Sequence, residues 1–256
     1  MAVQQNTPEV WSRSLPWELA LAYDGEPGID YWRASFLVNH TAAVAWRDCW
    51  GLDHDLTVAG SAVKLYASSQ SGTDNKPLEI DGIDANGDRQ LGYVTLQGQT
   101  KTEVKLADGS DATWLFANAA RLLGTTQNGG NIYVYEDDTV TAGVPQTPAK
   151  RKLFMLASDG VSSQLFFRVP NGKRALLVAC EIDANNFVVP AIRVSVKQNQ
   201  TSPYRVYYMP SNIGNTSGTP FPIPLVAEAG GVFLPEFLLN AVDSVTGTIH
   251  IVLRDG

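Results

Sequence analysis

The densest group of residues able to bind a cation is the stretch EIDGIDANGD. Asp84, Asn86 and Asp88 match the first, third and fifth positions of a calcium loop. The sixth position should be Gly and is Arg89, and the twelfth should be a bidentate Glu and is Thr95. Asn-Gly between two strand-like runs is instead a strong hairpin signal. The stretch therefore predicts a hairpin turn, and an adventitious cation site is the alternative.

Arrangements suited to catalysis are sparse. The one tight grouping of a histidine with carboxylates is Asp53-His54-Asp55, and neighbouring strand residues point to opposite faces. Asp137 and Asp138 form a carboxylate pair, as glycosidases use, but adjacent aspartates after a strand are more typical of a loop. The sequence has no nucleophile elbow, P-loop or dinucleotide fingerprint, and no second His or Cys at metal-ligand spacing. We therefore predict a protein without enzymatic activity, metal or cofactor.

The composition indicates a folded, acidic protein. The 256 residues are 44% hydrophobic and 18% charged, with a formal net charge of -7. A negative chain with one short basic run, at 150–152, is a poor candidate for nucleic-acid binding, which needs clustered Lys and Arg. Two distant cysteines, Cys49 and Cys180, predict no disulfide framework. No signal peptide or long apolar span is recognisable, so we expect a protein that is made in a cytoplasm and does not enter a membrane.

Strands dominate the predicted elements. From residue 56 onward, short alternating runs rich in Val, Ile, Tyr and Thr are separated by Gly, Pro and Asn. The runs NIYVYEDDTV and TGTIHIVLRD show the clearest alternation. The best helix candidate is TWLFANAARLLG, which begins at Thr113 and ends at a Gly124 cap. Asn171-Gly172, between apolar runs, predicts a second hairpin.

The predicted fold class is all-β, with two β-sandwich or jelly-roll-like domains in tandem, an aromatic-rich N-terminal arm and little helix. Residues 1–50 hold five of the six tryptophans and form the arm or the first strands. Residues 51–142 and 153–256 form the two domains. A linker rich in Pro, Gly and basic residues joins them at 143–152. The tetrapeptide IDAN occurs once in each half and hints at a duplication.

Five pieces of the chain form a recognisable series, namely GIDAN (82–86), VTLQGQT (94–100), NIYV (131–134), SQLFFRVPNGK (163–173) and PFPIPL (220–225). In this order they resemble a family of virion structural proteins of tailed bacteriophages, often marine ones. That family reads G-L-D-A-N and V-T-L-N-G-T-T, then a G-x-I strand, a Q-x-x-x-x-V-P-A-G-K hairpin and a P-F-P-x-P-L loop. The resemblance spans residues 56–256, and the two departures, Gln97 and Asn171, leave the turn assignments unchanged.

This resemblance implies a virion component more firmly than it implies a position in the particle. The first hypothesis is a capsid decoration, or cement, protein that binds the major capsid protein and copies of itself, as a dimer or trimer. Its location is then the virion, assembled in the host cytoplasm. An acidic exterior suits that role because it does not adhere to packaged DNA. The candidate contacts are aromatic residues of the arm and a proline-rich loop, namely Trp11, Trp17, Trp32, Phe221, Pro222 and Pro224.

Two other hypotheses stay open. A tail, fibre or head–tail protein would bind tail or portal proteins, and Tyr204, Tyr207 and Tyr208 would stack on host-surface sugars. The alternative for these tyrosines is packing on a neighbouring sheet. An enzyme such as a polysaccharide depolymerase would need a cleft that gathers His54 with several carboxylates.

Overall fold

The described part of the chain consists of strands joined by turns and loops. The computed structural model describes residues 29–39, 46–52, 60–124, 127–184, 191–199, 201, 203–209, 217–238 and 244–256. Within these ranges there are eighteen β-strands, one short 3-10 helix at Pro148–Lys150 and no α-helix. The all-β fold class is therefore confirmed. No helix in the same ranges is long and apolar enough to cross a membrane.

Short strands follow one another along the chain. The first ten are β1 (Ile29–Asn39), β2 (Trp46–Asp48), β3 (Tyr66–Ser69), β4 (Pro77–Ile83), β5 (Arg89–Thr95), β6 (Thr102–Glu103), β7 (Phe116–Leu122), β8 (Ile132–Tyr135), β9 (Val140–Thr141) and β10 (Val144–Pro145). The other eight are β11 (Arg151–Met155), β12 (Phe167–Arg168), β13 (Lys173–Ala184), β14 (Ala191–Lys197), β15 (Tyr204–Met209), β16 (Ser217–Ala227), β17 (Val232–Leu238) and β18 (Ser244–Asp255).

The strands group into four sheets and one small hairpin. Sheet I has the order β1-β18-β13-β16, and sheet II has the order β12-β17-β14-β15 with β2 also paired to β17. Sheet III has the order β11-β8-β3-β6, sheet IV has the order β5-β4-β7, and β9 pairs with β10. The pairings are antiparallel throughout. Each strand therefore turns alternate side chains to opposite faces of its sheet.

Sheets I and II enclose one hydrophobic core. Ile249, Ile251 and Leu253 of β18 are buried in it, as the period-two pattern of this strand predicts. Val194 of β14 and Phe233 of β17 enter the same core from sheet II. The two sheets thus form a β-sandwich, in which each inner face supplies alternate apolar side chains.

A second core lies between strands of sheets III and IV. Ile132 and Val134 of β8 are buried in this core. The intervening Tyr133 and Tyr135 pack with Phe154 in a separate cluster on the other face of the same strand. The alternation predicted for β8 is confirmed, and the strand is buried on both faces.

The helix predicted from Thr113 is wrong, because this segment forms β7. It pairs with β4, and Phe116, Ala117 and Ala120 are buried. The two strands lie close together, since a methyl group on Gly82 would overlap the carbonyl oxygen of Phe116. Sheet pairing and burial therefore outweigh the helix propensity of the Ala and Leu residues.

The region predicted as a linker, 143–152, contains paired strands. β10 pairs with β9, and β11 pairs with β8 of the preceding half of the chain. The Ser68 Oγ of β3 donates a hydrogen bond to the Gly143 carbonyl oxygen at 2.9 Å, which fixes the start of this region. Residues 143–152 are therefore not an extended connection, and the division of the chain into domains stays a prediction.

The two Asn-Gly pairs predicted to form hairpins have different roles. Asn86-Gly87 closes the hairpin of β4 and β5 as predicted, with Gly87 at φ +92°. The hairpin predicted at Asn171-Gly172 is wrong, since β12 pairs with β17 whereas β13 pairs with β16 and β18. This turn carries the chain from sheet II to sheet I. It also contacts the first turn, because the Asn171 N–H donates to the Gly87 carbonyl and its Nδ2 donates to the Asn86 carbonyl, both at 2.8 Å.

Candidate interaction surfaces

The contact loop predicted at Phe221, Pro222 and Pro224 lies in β16, an edge strand of sheet I. The prediction of a loop is therefore wrong in its secondary structure. The edge position agrees with the prolines, because proline cannot donate a ladder hydrogen bond and is tolerated mainly at sheet edges. The structure describes the backbone of these residues and not their side chains.

The pairing of β16 with β13 is interrupted at these residues. Leu177 pairs with Leu225, and Ala179 pairs with Pro220. Residues 221–224 of β16, here called the β16 bulge, thus face a single residue of β13. A bulge leaves its extra residues out of the ladder and redirects the strand. The segment that the sequence marks as a contact is therefore released from pairing at a sheet edge.

The predicted tryptophan contacts are only partly described. Trp11 and Trp17 lie outside the described residues. Trp32 lies in β1, the opposite edge strand of sheet I, where its backbone pairs with Ile251 of β18. The side chain of Trp32 also lies outside the described part. Trp32 and the β16 bulge thus occupy the two edges of one sheet.

The acidic turn is organised by Asp84. Its Oδ1 accepts hydrogen bonds from the N–H groups of Asn86 at 2.8 Å and Asp88 at 2.9 Å. Beside it, the Arg89 guanidinium donates to both carboxylate oxygens of Asp81. These contacts agree with the predicted structural turn. No group of three or more His, Cys, Asp or Glu in the described ranges is placed to hold a metal ion.

The adjacent aspartates considered for catalysis accept hydrogen bonds that stabilise a loop. Lys101 Nζ donates to Asp137 Oδ1 at 2.6 Å, and the Thr147 N–H donates to Asp138 Oδ2 at 2.7 Å. The hydrogen bond from Lys101 lowers the pKa of Asp137. Asp53-His54-Asp55 lies outside the described residues, so the absence of enzymatic activity stays a prediction.

Sheet II carries a row that contains two basic residues and a tyrosine on the face opposite its core with sheet I. The strand registers align Arg168 of β12, Val232 of β17, Lys197 of β14 and Tyr204 of β15 across the sheet. We call these four residues the Arg168–Tyr204 row. Tyr204 is 47% exposed at the edge strand, whereas Arg168, at the other end, is 8% exposed. The row thus runs from a half-exposed aromatic ring to a buried cation.

The three tyrosines considered for sugar stacking are not equivalent. Tyr204 is exposed on the outer face of sheet II. Tyr207 lies on the other face and packs against the core of sheets I and II, so the packing interpretation applies to it. The side chain of Tyr208 lies outside the described part. Among the two described side chains, Tyr204 alone offers an exposed ring.

A charged ladder lies beside the Arg168–Tyr204 row. Arg193 Nε donates to Glu236 Oε2 at 2.7 Å, and its Nη2 donates to Oε1 at 2.5 Å. Ser195 Oγ donates to Glu236 Oε2 at 3.0 Å. The guanidinium also lies 4.1 Å from the ring centroid of Trp46, a cation–π contact. Glu236 is therefore fully engaged by its neighbours on the sheet.

Arg168 is a buried charge of this face that has no ion pair among the described residues. Its Nε is buried and has no hydrogen-bond partner in the part of the chain that the structure describes. No ion pair within the described ranges includes it. Burial lowers the pKa of Arg168, and the phenol of Tyr204 acts in the opposite direction. Sequence reasoning missed this residue, although an arginine inside the apolar run FFRVP was the available signal.

Comparisons with known proteins give no family. No protein-family model matches the chain, and no curated protein matches it. Among solved structures, infectious bursal disease virus of the Gt strain is similar over 89% of this chain and 72% of its own, at 8% identity and a TM-score of 0.23. The VP2 subviral particle of the same virus covers the same shares at 8% identity and a TM-score of 0.20. A CBM4 structure covers 48% of this chain and 71% of its own, at 12% identity and a TM-score of 0.20. Likenesses this weak support no conclusion about function.

Proposed function

We propose that this chain is a non-enzymatic virion structural protein of a tailed bacteriophage that decorates the assembled capsid. The observation that carries the proposal is the β16 bulge, where the four inner residues of the P-F-P-x-P-L piece lie outside the ladder of an edge strand. Residues released from pairing at an edge are free to contact a neighbouring subunit. The segment thus combines a sequence resemblance with a position suited to assembly.

The proposed mechanism is stabilisation by mass action. A protein that binds the assembled shell and not its separate subunits lowers the free energy of the assembled state. The partners are the major capsid protein and further copies of this chain. The net charge of -7 favours an outer position, because an acidic surface is repelled by packaged DNA.

Binding to capsids that lack this protein tests the proposal. Purified protein is sedimented with such capsids, and the bound fraction is measured for the native chain and for Phe221→Ser. Because apolar anchors dominate interface energy, we expect the substitution to weaken binding by about tenfold or more. Val161→Ser is the matched control, since Val161 is 50% exposed and lies outside sheets I and II. Equal binding by both variants and the native chain would contradict the role of the bulge.

A second candidate function is a tail, fibre or head–tail component that contacts host-surface carbohydrate. The observation that favours it is the exposed ring of Tyr204 on the outer face of sheet II. Sedimentation with isolated tails in place of capsids distinguishes this role. Binding to tails and not to capsids would replace the decoration proposal.

A further inference from the structure

Arg168 is a buried cation that forms no ion pair with the described residues. Burying a guanidinium without a paired carboxylate is strongly unfavourable. Among the described residues its Nε has no acceptor, and the phenol of Tyr204 is the group that favours its charged form. Its main chain is fixed by Asn118, so the backbone position does not depend on the guanidinium. A buried charge without a partner in the described part of the chain is suited to a ligand that supplies an anion.

The other members of the row define the kind of anion. Lys197 lies between Val232 and Tyr204 in the row, is only partly buried and adds a second positive charge. Tyr204 and Val206 are 47% and 44% exposed, and they lie two residues apart on one strand, so both lie on the outer face. Tyr204 and Val206 thus form an exposed apolar surface at one end of the row, next to Lys197, and Arg168 lies at the other end. Asp48 also acts electrostatically on the Tyr204 phenol, so the surface carries one carboxylate near its aromatic end.

We propose that the Arg168–Tyr204 row binds a sugar that carries a carboxylate, such as a uronic acid. The planar guanidinium of Arg168 matches the two oxygens of a carboxylate. The ring of Tyr204 packs against the face of the pyranose, which is broad and apolar, whereas a compact phosphate would leave that ring unused. The proposal goes beyond the virion role and is tested on the isolated protein, so the two fail independently.

The experiment uses three matched probes with the purified chain. Sodium glucuronate has a sugar ring and a carboxylate, glucose has the ring alone, and acetate has the carboxylate alone. Each is titrated against nitrogen-15-labelled protein while the Nε–Hε resonance of Arg168 is followed by NMR. We expect glucuronate to shift this resonance saturably and to bind about tenfold or more tightly than either glucose or acetate.

Substitutions in the row identify the residues that bind glucuronate. Arg168→Met and Tyr204→Ala should each weaken glucuronate binding by about tenfold. Arg205→Gln, which removes an exposed positive charge from the same strand, should stay within about twofold. The melting temperature of Arg168→Met should equal or exceed that of the native protein, because an unpaired buried charge is removed. Should that variant fold poorly, Arg168→Lys keeps the charge, loses the planar fork and should also bind more weakly.

Three results would overturn the proposal. Acetate binding as tightly as glucuronate would mean an anion site without sugar recognition. Glucuronate binding unchanged in Arg168→Met would place the ligand elsewhere. Glucuronate that shifts no resonance of the native protein, together with a lower melting temperature of Arg168→Met, would mean that Arg168 has a structural role only.

Discussion

Asn118 is hydrogen-bonded to both main-chain polar groups of Arg168. Its Nδ2 donates to the Arg168 carbonyl oxygen at 3.0 Å, and its Oδ1 accepts from the Arg168 N–H at 2.8 Å. Asn118 lies in β7 of sheet IV, whereas Arg168 lies in β12 of sheet II. The buried side-chain amide of Asn118 therefore supplies the hydrogen bonds that a neighbouring strand would otherwise make with Arg168. It does so where sheet II meets sheet IV, and each of these sheets belongs to a different core.

Removing this amide should destabilise the protein. Asn118→Leu leaves two buried backbone groups of Arg168 without partners, each worth about 1–3 kcal/mol. We expect the free energy of unfolding in urea to fall by about 2–4 kcal/mol. Asn86→Ala, in the exposed turn, is the control and should change it by less than about 0.5 kcal/mol. Equal effects of the two substitutions would show that Asn118 does not join the sheets.

Two glycines with positive φ allow the cost of a steric overlap to be compared with the cost of an unfavourable backbone conformation. Gly143 has φ +78° and Gly109 has φ +83°. A methyl group on Gly143 would overlap the carbonyl oxygen of Ser69, whereas one on Gly109 meets nothing within 4 Å. We expect Gly109→Ala to cost about 1 kcal/mol of unfolding free energy and Gly143→Ala about 3 kcal/mol or more. Chemical denaturation measures both, and similar losses would mean that residue 143 is not packed against β3.

The pKa of Asp111 gives a prediction on pH. A hydrogen bond from Lys105, followed by one from Lys64, lowers the pKa of Asp111 from 3.8 to about 2. Because the folded value lies below the unfolded one, the stabilisation is present above pH 4 and is lost as the pH falls towards 2. The difference in melting temperature between the native protein and Asp111→Asn should therefore shrink over this interval. A difference that is constant with pH would contradict the ion pairs.

Added salt distinguishes a pKa shift caused by charged partners from a pKa shift caused by burial. Added salt screens exposed lysines, so it should raise the pKa of Asp111 towards its ordinary value in an NMR titration. Asp159 is the internal control, because burial and not a charged partner raises its pKa. Its titration should respond much less to salt.

The ladder on sheet II predicts that Arg193 is not replaceable by lysine. Arg193→Lys loses one of two hydrogen bonds to Glu236 and weakens the contact with Trp46. We expect a loss of about 1–2 kcal/mol in unfolding free energy. Arg174→Lys is the matched control, since Arg174 and Glu228 are both about half exposed, and it should cost less than about 0.5 kcal/mol. Indistinguishable variants would mean that the bidentate geometry contributes nothing.

Local patterns in the sequence predicted the elements whose burial follows a simple period. The alternation of β8 and β18 and the turn at Asn86-Gly87 depend on neighbouring residues only, and all three were predictable. The segment from Thr113 was not, because its alanines are helix formers whose strand conformation depends on pairing with distant β4. Asn171-Gly172 has a hairpin sequence, but the partners of its flanking strands come from other parts of the chain.

The interaction surfaces were also predictable from the sequence only in part. The proline-rich piece at 220–225 was recognisable by its resemblance, although its place in an edge strand was not. The Arg168–Tyr204 row was beyond sequence reasoning, because its four members come from separate strands and meet only through three registers. A lone arginine in an apolar run indicates an unusual position, but the sequence does not say what lies across the sheet.

The most direct test of the decoration role is the copy number of this chain relative to the major capsid protein. It is measured by gel densitometry or quantitative mass spectrometry in purified particles of the phage that is proposed to encode the chain. A decoration protein follows the lattice symmetry, so the account predicts a ratio of about one to one or one to two. A ratio of about one to fifty would contradict the role and assign the protein to the tail or portal, and its absence from particles would contradict the virion assignment itself.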